Sequence, residues 1–128
     1  MSEIKSFEDL ECFKYCKLLR QEISSMVKTF PNNEQYRLTD QILRCSRSVT
    51  NNIAEGFGRF HYKENAQFCR HARGSLFELL DHLQIGFEEG YIEIEKLNKL
   101  TTQANDCIRI LNGFIKYLVS QSLISKTL

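Results

Sequence analysis

His71, Glu78 and His82 are the residues whose types and spacing come nearest to catalysis. At steps of seven and four they share one face of a helix, and two imidazoles beside a carboxylate can pass protons at neutral pH. They belong to a longer series, Glu64, Phe68, His71, Ser75, Glu78, His82 and Ile85, which advances by 4, 3, 4, 3, 4 and 3 residues. Such a series reads in three ways. It is an acid–base stripe, a subunit interface through Phe68, His71, Ser75, Glu78 and His82, or a solvated helix face, and the pattern leaves all three open.

Metal and cofactor chemistry find less support. A di-iron bundle needs Glu-x-x-His pairs, and the chain has none, since Glu78 and His82 are four apart. Cys12 with Cys16, and Cys69 with His71, are close in sequence but do not form the compact paired motifs of a zinc site. No Gly-rich phosphate loop and no Gly-x-Ser-x-Gly elbow is present, and Gly56-Phe57-Gly58 follows no strand. Cys45 falls on an apolar face, where a thiol is inert. The residues therefore predict no enzyme, no metal and no cofactor.

Charge points elsewhere. From Arg37 to Arg73 seven basic residues (Arg37, Arg44, Arg47, Arg59, Lys63, Arg70 and Arg73) face three acids (Asp40, Glu55 and Glu64), a net +4. Tyr36, Phe60, His61 and Tyr62 interleave with them, and aromatic rings among cations can stack bases and hold phosphates. Arg44, Arg47, Arg59, Lys63, Arg70 and Arg73 are the candidate nucleic-acid contacts. From Gly74 to Asp106, seven acids meet only Lys96 and Lys99, net −5, and the whole chain carries only +1. Docked helices of opposite sign in a mixed-charge surface explain this distribution better than a dedicated polyanion site does.

The elements that must position these groups are four amphipathic helices. In the first, Cys12, Cys16, Leu19, Ile23, Met26 and Phe30 form a heptad stripe, with Ser6 and Asp9 as a capping box and Pro31 as the stop. The second starts at a Thr39 N-cap, with Leu38 stapling onto Leu43. It buries Ile42, Cys45, Val49, Ile53 and Phe57, with Asn52 and Gly56 beside the seam, and breaks at Gly56-Phe57-Gly58. The third begins at His61 or Tyr62, buries Cys69, Ala72, Leu76, Leu79 or Leu80, Leu83 and Phe87, and closes at Gly90. Gly74 inside it predicts a close helix approach. The fourth starts between Ile92 and Leu97 and places Ile94, Leu97, Ala104, Ile108, Leu111, Ile115 and Leu118 inward. It ends near Val119, with fraying from Ser120.

Short connections predict an all-α, antiparallel up-down-up-down four-helix bundle, a single domain over residues 1–128. At 128 residues such a bundle can bury one real core. Five cysteines, mostly on apolar faces, read as reduced core thiols. The polar opening residues and the lack of a long apolar run predict a cytoplasmic chain away from membranes.

Several segments resemble a known family: Phe7-Glu8-Asp9-Leu10, Phe30-Pro31, LTDQILR at Leu38–Arg44, NIAEGFGR at Asn52–Arg59, Gly74-Ser75 with Glu78-Leu79, and Leu111-Asn112-Gly113. Together, across nearly the whole chain, they are similar to the small bacterial bundle proteins encoded within intervening sequences of 23S rRNA genes, the S23 proteins. The resemblance implies a homopentamer around an axial channel and no established enzymatic activity. Its likeness to the pentameric accessory protein of diversity-generating retroelements implies a nucleic-acid or ribonucleoprotein role, although that protein is strongly basic and this chain is not. The chain departs from the family pattern at Thr50, where proline is usual, at His61, where a serine cap is usual, and at Asn65, where an aromatic is favoured. A binding or scaffold module, for structured RNA or for a protein partner, is the functional expectation. An enzyme built on His71, Glu78 and His82 is the opposing one.

Overall fold

The computed structural model describes residues 3–127. A 3-10 turn at Phe7–Asp9 precedes α1 (Glu11–Met26), and turns at Val27–Thr29 and Asn32–Glu34 carry the chain to α2 (Leu38–Phe57). Two long helices follow, α3 (Tyr62–Glu88) and α4 (Ile94–Thr127). Among the described residues there is no strand, and no helix is long and apolar enough to cross a membrane. The protein is an all-helical bundle.

The helices pack in a ring: α2 on α3, α3 on α4, and α1 against both α2 and α4. Three of the seams run antiparallel on direct contacts. Gly56 of α2 lies against Asn65 and Phe68 of α3, whereas Cys45, earlier in α2, reaches Ser75. Gly86 of α3 meets Ile92, Arg73 reaches Asn112, and Ala66 shares a groove with Val119. The Cys16 thiol of α1 is hydrogen-bonded to Cys107 of α4, and Glu22 is ion-paired to Lys96 and Lys99. In the remaining seam, Arg20 of α1 donates to the Thr50 hydroxyl of α2 at 2.7 Å.

Apolar periodicity decides the interior. Cys12, Cys16, Leu19, Ile23, Met26 and Phe30 are all buried, as are Ile42, Cys45, Val49 and Ile53 of α2 and Cys69, Ala72, Leu76, Leu79 and Leu83 of α3. Each fully buried Leu or Ile contributes about 1.5–3 kcal/mol relative to exposure. All five cysteines are free and buried.

Four local expectations need correction. The Ser6–Asp9 capping box exists, but it caps the 3-10 turn; the extended backbone of Leu10 separates that turn from α1. Helix α2 starts one residue before Thr39, because Gln41 already bonds the Arg37 carbonyl, and the N-cap is Arg37. Ile94 is exposed in the first turn of α4, and that helix continues past Ser120 to Thr127. Gly74 is exposed, and a Cβ there would meet nothing within 4 Å.

The close approaches fall at Gly56 and Gly86 instead. A Cβ on Gly56 would lie 2.7 Å from Asn65 Oδ1 and 2.9 Å from Phe68 Cβ, and one on Gly86 would lie 2.7 Å from Ile92 Cδ1. Gly90 has φ +81°, and the amides of Gly90 and Tyr91 bond back to the carbonyls of Phe87 and Gly86. This paired hydrogen bonding around a left-handed glycine ends α3 and turns the chain into α4.

Candidate functional site

The stripe on α3 lies along its seam with α2, where intrachain contacts occupy part of it. Phe68 is half-buried with the Arg59 guanidinium 5.0 Å above its ring, and the His71 ring meets its edge at 6.2 Å. Ser75 shares a hydroxyl hydrogen bond with Ser48 at 3.0 Å, and its carbonyl accepts from the Cys45 thiol at 2.9 Å. His82 Nε2 stands 3.5 Å from Glu78 Oε1, with 13% of the His82 side chain exposed against 64% for Glu78. His71 and Glu78 face solvent. The stripe therefore pairs Glu78 with His82 but sends His71 to an aromatic neighbour. The larger surface clefts lie elsewhere, between α1 and α4 and around Phe60, Tyr36 and Tyr91.

The basic residues divide into two sets. Arg37 pairs with the buried Glu34 at 3.3 Å, Arg44 with Asp40 at 2.9 Å, and Arg59 with Glu55 at 3.0 Å and Glu64 at 3.7 Å. These pairs lie within one or two helix turns and spend their charge locally. Arg47 is exposed on α2. Lys63 and Arg70 line a groove with Ala66 of α3 and Val119, Ser122 and Leu123 of α4. Farther along the same seam, Arg73 donates to Asn112 Oδ1 at 2.8 Å. Among the described residues, Lys63, Arg70 and Arg73 have no carboxylate partner; Arg70 reaches only the Gln67 amide oxygen, at 3.4 Å. Lys116, exposed on α4 one helix turn beyond Asn112, lies outside the basic segment singled out in the sequence.

The model of a protein family described as "23S rRNA-intervening sequence protein" matches residues 8–113. The chain belongs to that family. No curated protein matches it in sequence.

Thr50, His61 and Asn65, where the resemblance implies other residues, each have a distinct local setting in this family member. Thr50 is buried in an uninterrupted α2, bonding its hydroxyl to the Arg47 carbonyl while accepting from Arg20. His61 is the N-cap of α3 but makes no side-chain cap bond, and Glu64 turns to Arg59 instead. Asn65 is buried against Gly56 and accepts from the Cys69 thiol at 3.6 Å. Burial pushes the thiols of Cys12, Cys45 and Cys69 up to about 12, and the charge of Glu78 adds to the rise at Cys45. A hydrogen bond to Cys107 across the α1–α4 seam, with burial behind it, drives Cys16 up as well. Thiols held protonated in this way are poor nucleophiles.

Proposed function

We propose that this chain is a non-enzymatic, self-associating binding module whose α3–α4 groove holds the phosphate backbone of structured RNA in the cytoplasm. The observation that carries the reading is the division of the cations. Arg37, Arg44 and Arg59 are neutralised by neighbouring carboxylates, whereas Lys63, Arg70 and Arg73 line one seam without a carboxylate partner among the described residues. The description of the family, which refers to 23S rRNA, supports the choice of polyanion.

A net charge of +1 makes one copy a weak ligand for RNA. Self-association supplies the missing strength, since a ring repeats the groove and turns weak contacts into avidity. Exposed Tyr15 and Leu18 of α1 and Tyr117 of α4, with the open Gly113 nearby, offer apolar surface for such contacts. Exposed His71 and Glu78 offer a second, polar one. The homopentamer implied by resemblance fits this reading.

The test is fluorescence anisotropy with a structured 23S rRNA fragment across a salt series, alongside light scattering. Affinity should fall steeply with salt, and the Lys63→Gln/Arg70→Gln/Arg73→Gln variant should flatten the log–log slope by about 2–3. Arg44→Gln, already ion-paired, should change it little. The scattering mass should be a multiple of 15.0 kDa, with five as the expected multiple. Salt-independent binding, or none at low ionic strength, overturns the RNA reading. The better reading would then be a protein partner, favoured by the cleft that Phe60, a residue 98% exposed, lines with His61, Tyr62 and Ser122.

A further inference from the structure

We propose that Cys45 of α2 and the Glu78–His82 pair of α3 form a three-ligand site for a zinc-class divalent cation in the seam between those helices. A thiol sulfur, a carboxylate oxygen and an imidazole nitrogen of these residues lie within 4.8 Å of one another. Tetrahedral zinc, with bonds of about 2.0–2.3 Å, holds its ligand atoms roughly 3.3–3.7 Å apart. The Glu78 and His82 atoms already stand at 3.5 Å, so small side-chain rotations complete the set.

The fold explains the juxtaposition. Glu78 and His82 are one turn apart on α3, which stacks their side chains on one flank. Cys45 approaches from α2, held at the seam by its bond to the Ser75 carbonyl. Ligands from two helices leave no compact motif in sequence, and that is why spacing alone predicts no metal here.

The imidazole is not committed elsewhere. Its Nε2 faces Glu78 in a side chain only 13% exposed, and its other nitrogen, Nδ1, is buried without a hydrogen-bond partner among the described residues. No protein group therefore fixes the ring's tautomer, and with the proton on Nδ1 the Nε2 lone pair is free to meet a cation. Charge also balances on binding. The cation displaces the Cys45 thiol proton to solvent, and the resulting thiolate with the Glu78 carboxylate offsets the two positive charges. His82 binds as neutral imidazole. Glu78, mostly exposed, leaves the fourth position open to water. A thiolate–imidazole set selects zinc-class ions over magnesium and calcium, which require oxygen ligands.

The test uses the full chain, stripped with a chelator, kept reduced and titrated with Co²⁺. One equivalent should produce an intense tetrahedral d–d spectrum with a thiolate-to-cobalt band in the near ultraviolet, and Zn²⁺ should bleach both. Cys45→Ser should abolish the thiolate band and weaken binding by more than about a hundredfold, beyond the loss usual for outer-shell changes. Glu78→Gln, at an exposed position that leaves the fold intact by circular dichroism, should weaken it by at least about tenfold. Cys16→Ser and Cys107→Ser should leave the spectrum unchanged. A weak octahedral spectrum, a thiolate band that survives Cys45→Ser, or an affinity indifferent to Glu78→Gln overturns the proposal.

Discussion

Replacing Gly56 with alanine tests the α2–α3 contact most directly, because two terms of known size oppose each other. Alanine in a helix interior is favoured over glycine by about 0.8–1.0 kcal/mol. Against this, the new methyl would lie 2.7 Å from Asn65 Oδ1 and 2.9 Å from Phe68 Cβ. Neither neighbour can give way cheaply. Asn65 is buried and engaged by the Cys69 thiol, and a Cβ moves only with its own backbone. Overpacking of this kind costs about 1–3 kcal/mol, and with neither neighbour free to move the upper half of that range applies, so Gly56→Ala should be destabilising by about 1–2 kcal/mol net. Gly74→Ala is the internal control: its Cβ meets nothing, and the propensity gain of about 1 kcal/mol should appear undiminished. Urea denaturation followed by circular dichroism should move the two midpoints in opposite directions at constant m-value. A Gly56→Ala protein as stable as the parent would refute the close approach. A destabilised Gly74→Ala protein would refute the open surface at Gly74.

Thr50→Val removes the acceptor for the half-buried Arg20 guanidinium and should cost about 1–3 kcal/mol, read from the same urea transition. His61→Ser supplies the side-chain cap that α3 lacks and should be stabilising by about 1 kcal/mol, raising the melting temperature by a few degrees. Cys12, Cys45 and Cys69 keep their protons in the fold up to about 12, whereas unfolded thiols release theirs near 9.0. The stability they contribute is present below the unfolded value and lost as pH rises, at about 1.4 kcal/mol per pH unit for each thiol. The urea midpoint should therefore fall steeply between those two values, and a flat profile would contradict the burial of these thiols.

Period was the most legible property of this sequence. Heptad steps through Cys12 and Ile23, and the matching stripes in α2 and α3, identified interior positions because burial follows helix geometry directly. What the pattern could not supply was which glycine faces a neighbour. Gly56, Gly74 and Gly86 all interrupt helices, and the crossing of two axes alone decides which of them is covered. The charges obey a more local rule. Asp40 stands four residues before Arg44, a helical pairing legible in the chain, and no carboxylate stands beside Arg70 among the described residues. Thr39 misled because Arg37 already accepts the first helical hydrogen bond, making the cap a property of backbone path. The Cys45–Glu78–His82 grouping was hidden because its members belong to helices whose register only packing reveals.

The ring of seams described above also sets an order in time. Gly56 and Asn65 are nine residues apart, whereas Glu22 and Lys96, which join α1 to α4, are 74 apart. Closing the longer loop costs about 2 kcal/mol more chain entropy by the logarithmic dependence on length. The α2–α3 hairpin can therefore nucleate locally, and the α1–α4 seam is the last to zip and the first to part. Substitutions such as Glu22→Gln should accelerate unfolding while leaving the refolding rate nearly untouched, whereas Gly56→Ala should slow refolding. The seam that closes the ring thus governs how long a folded molecule lasts, and the hairpin opposite governs how quickly one is made.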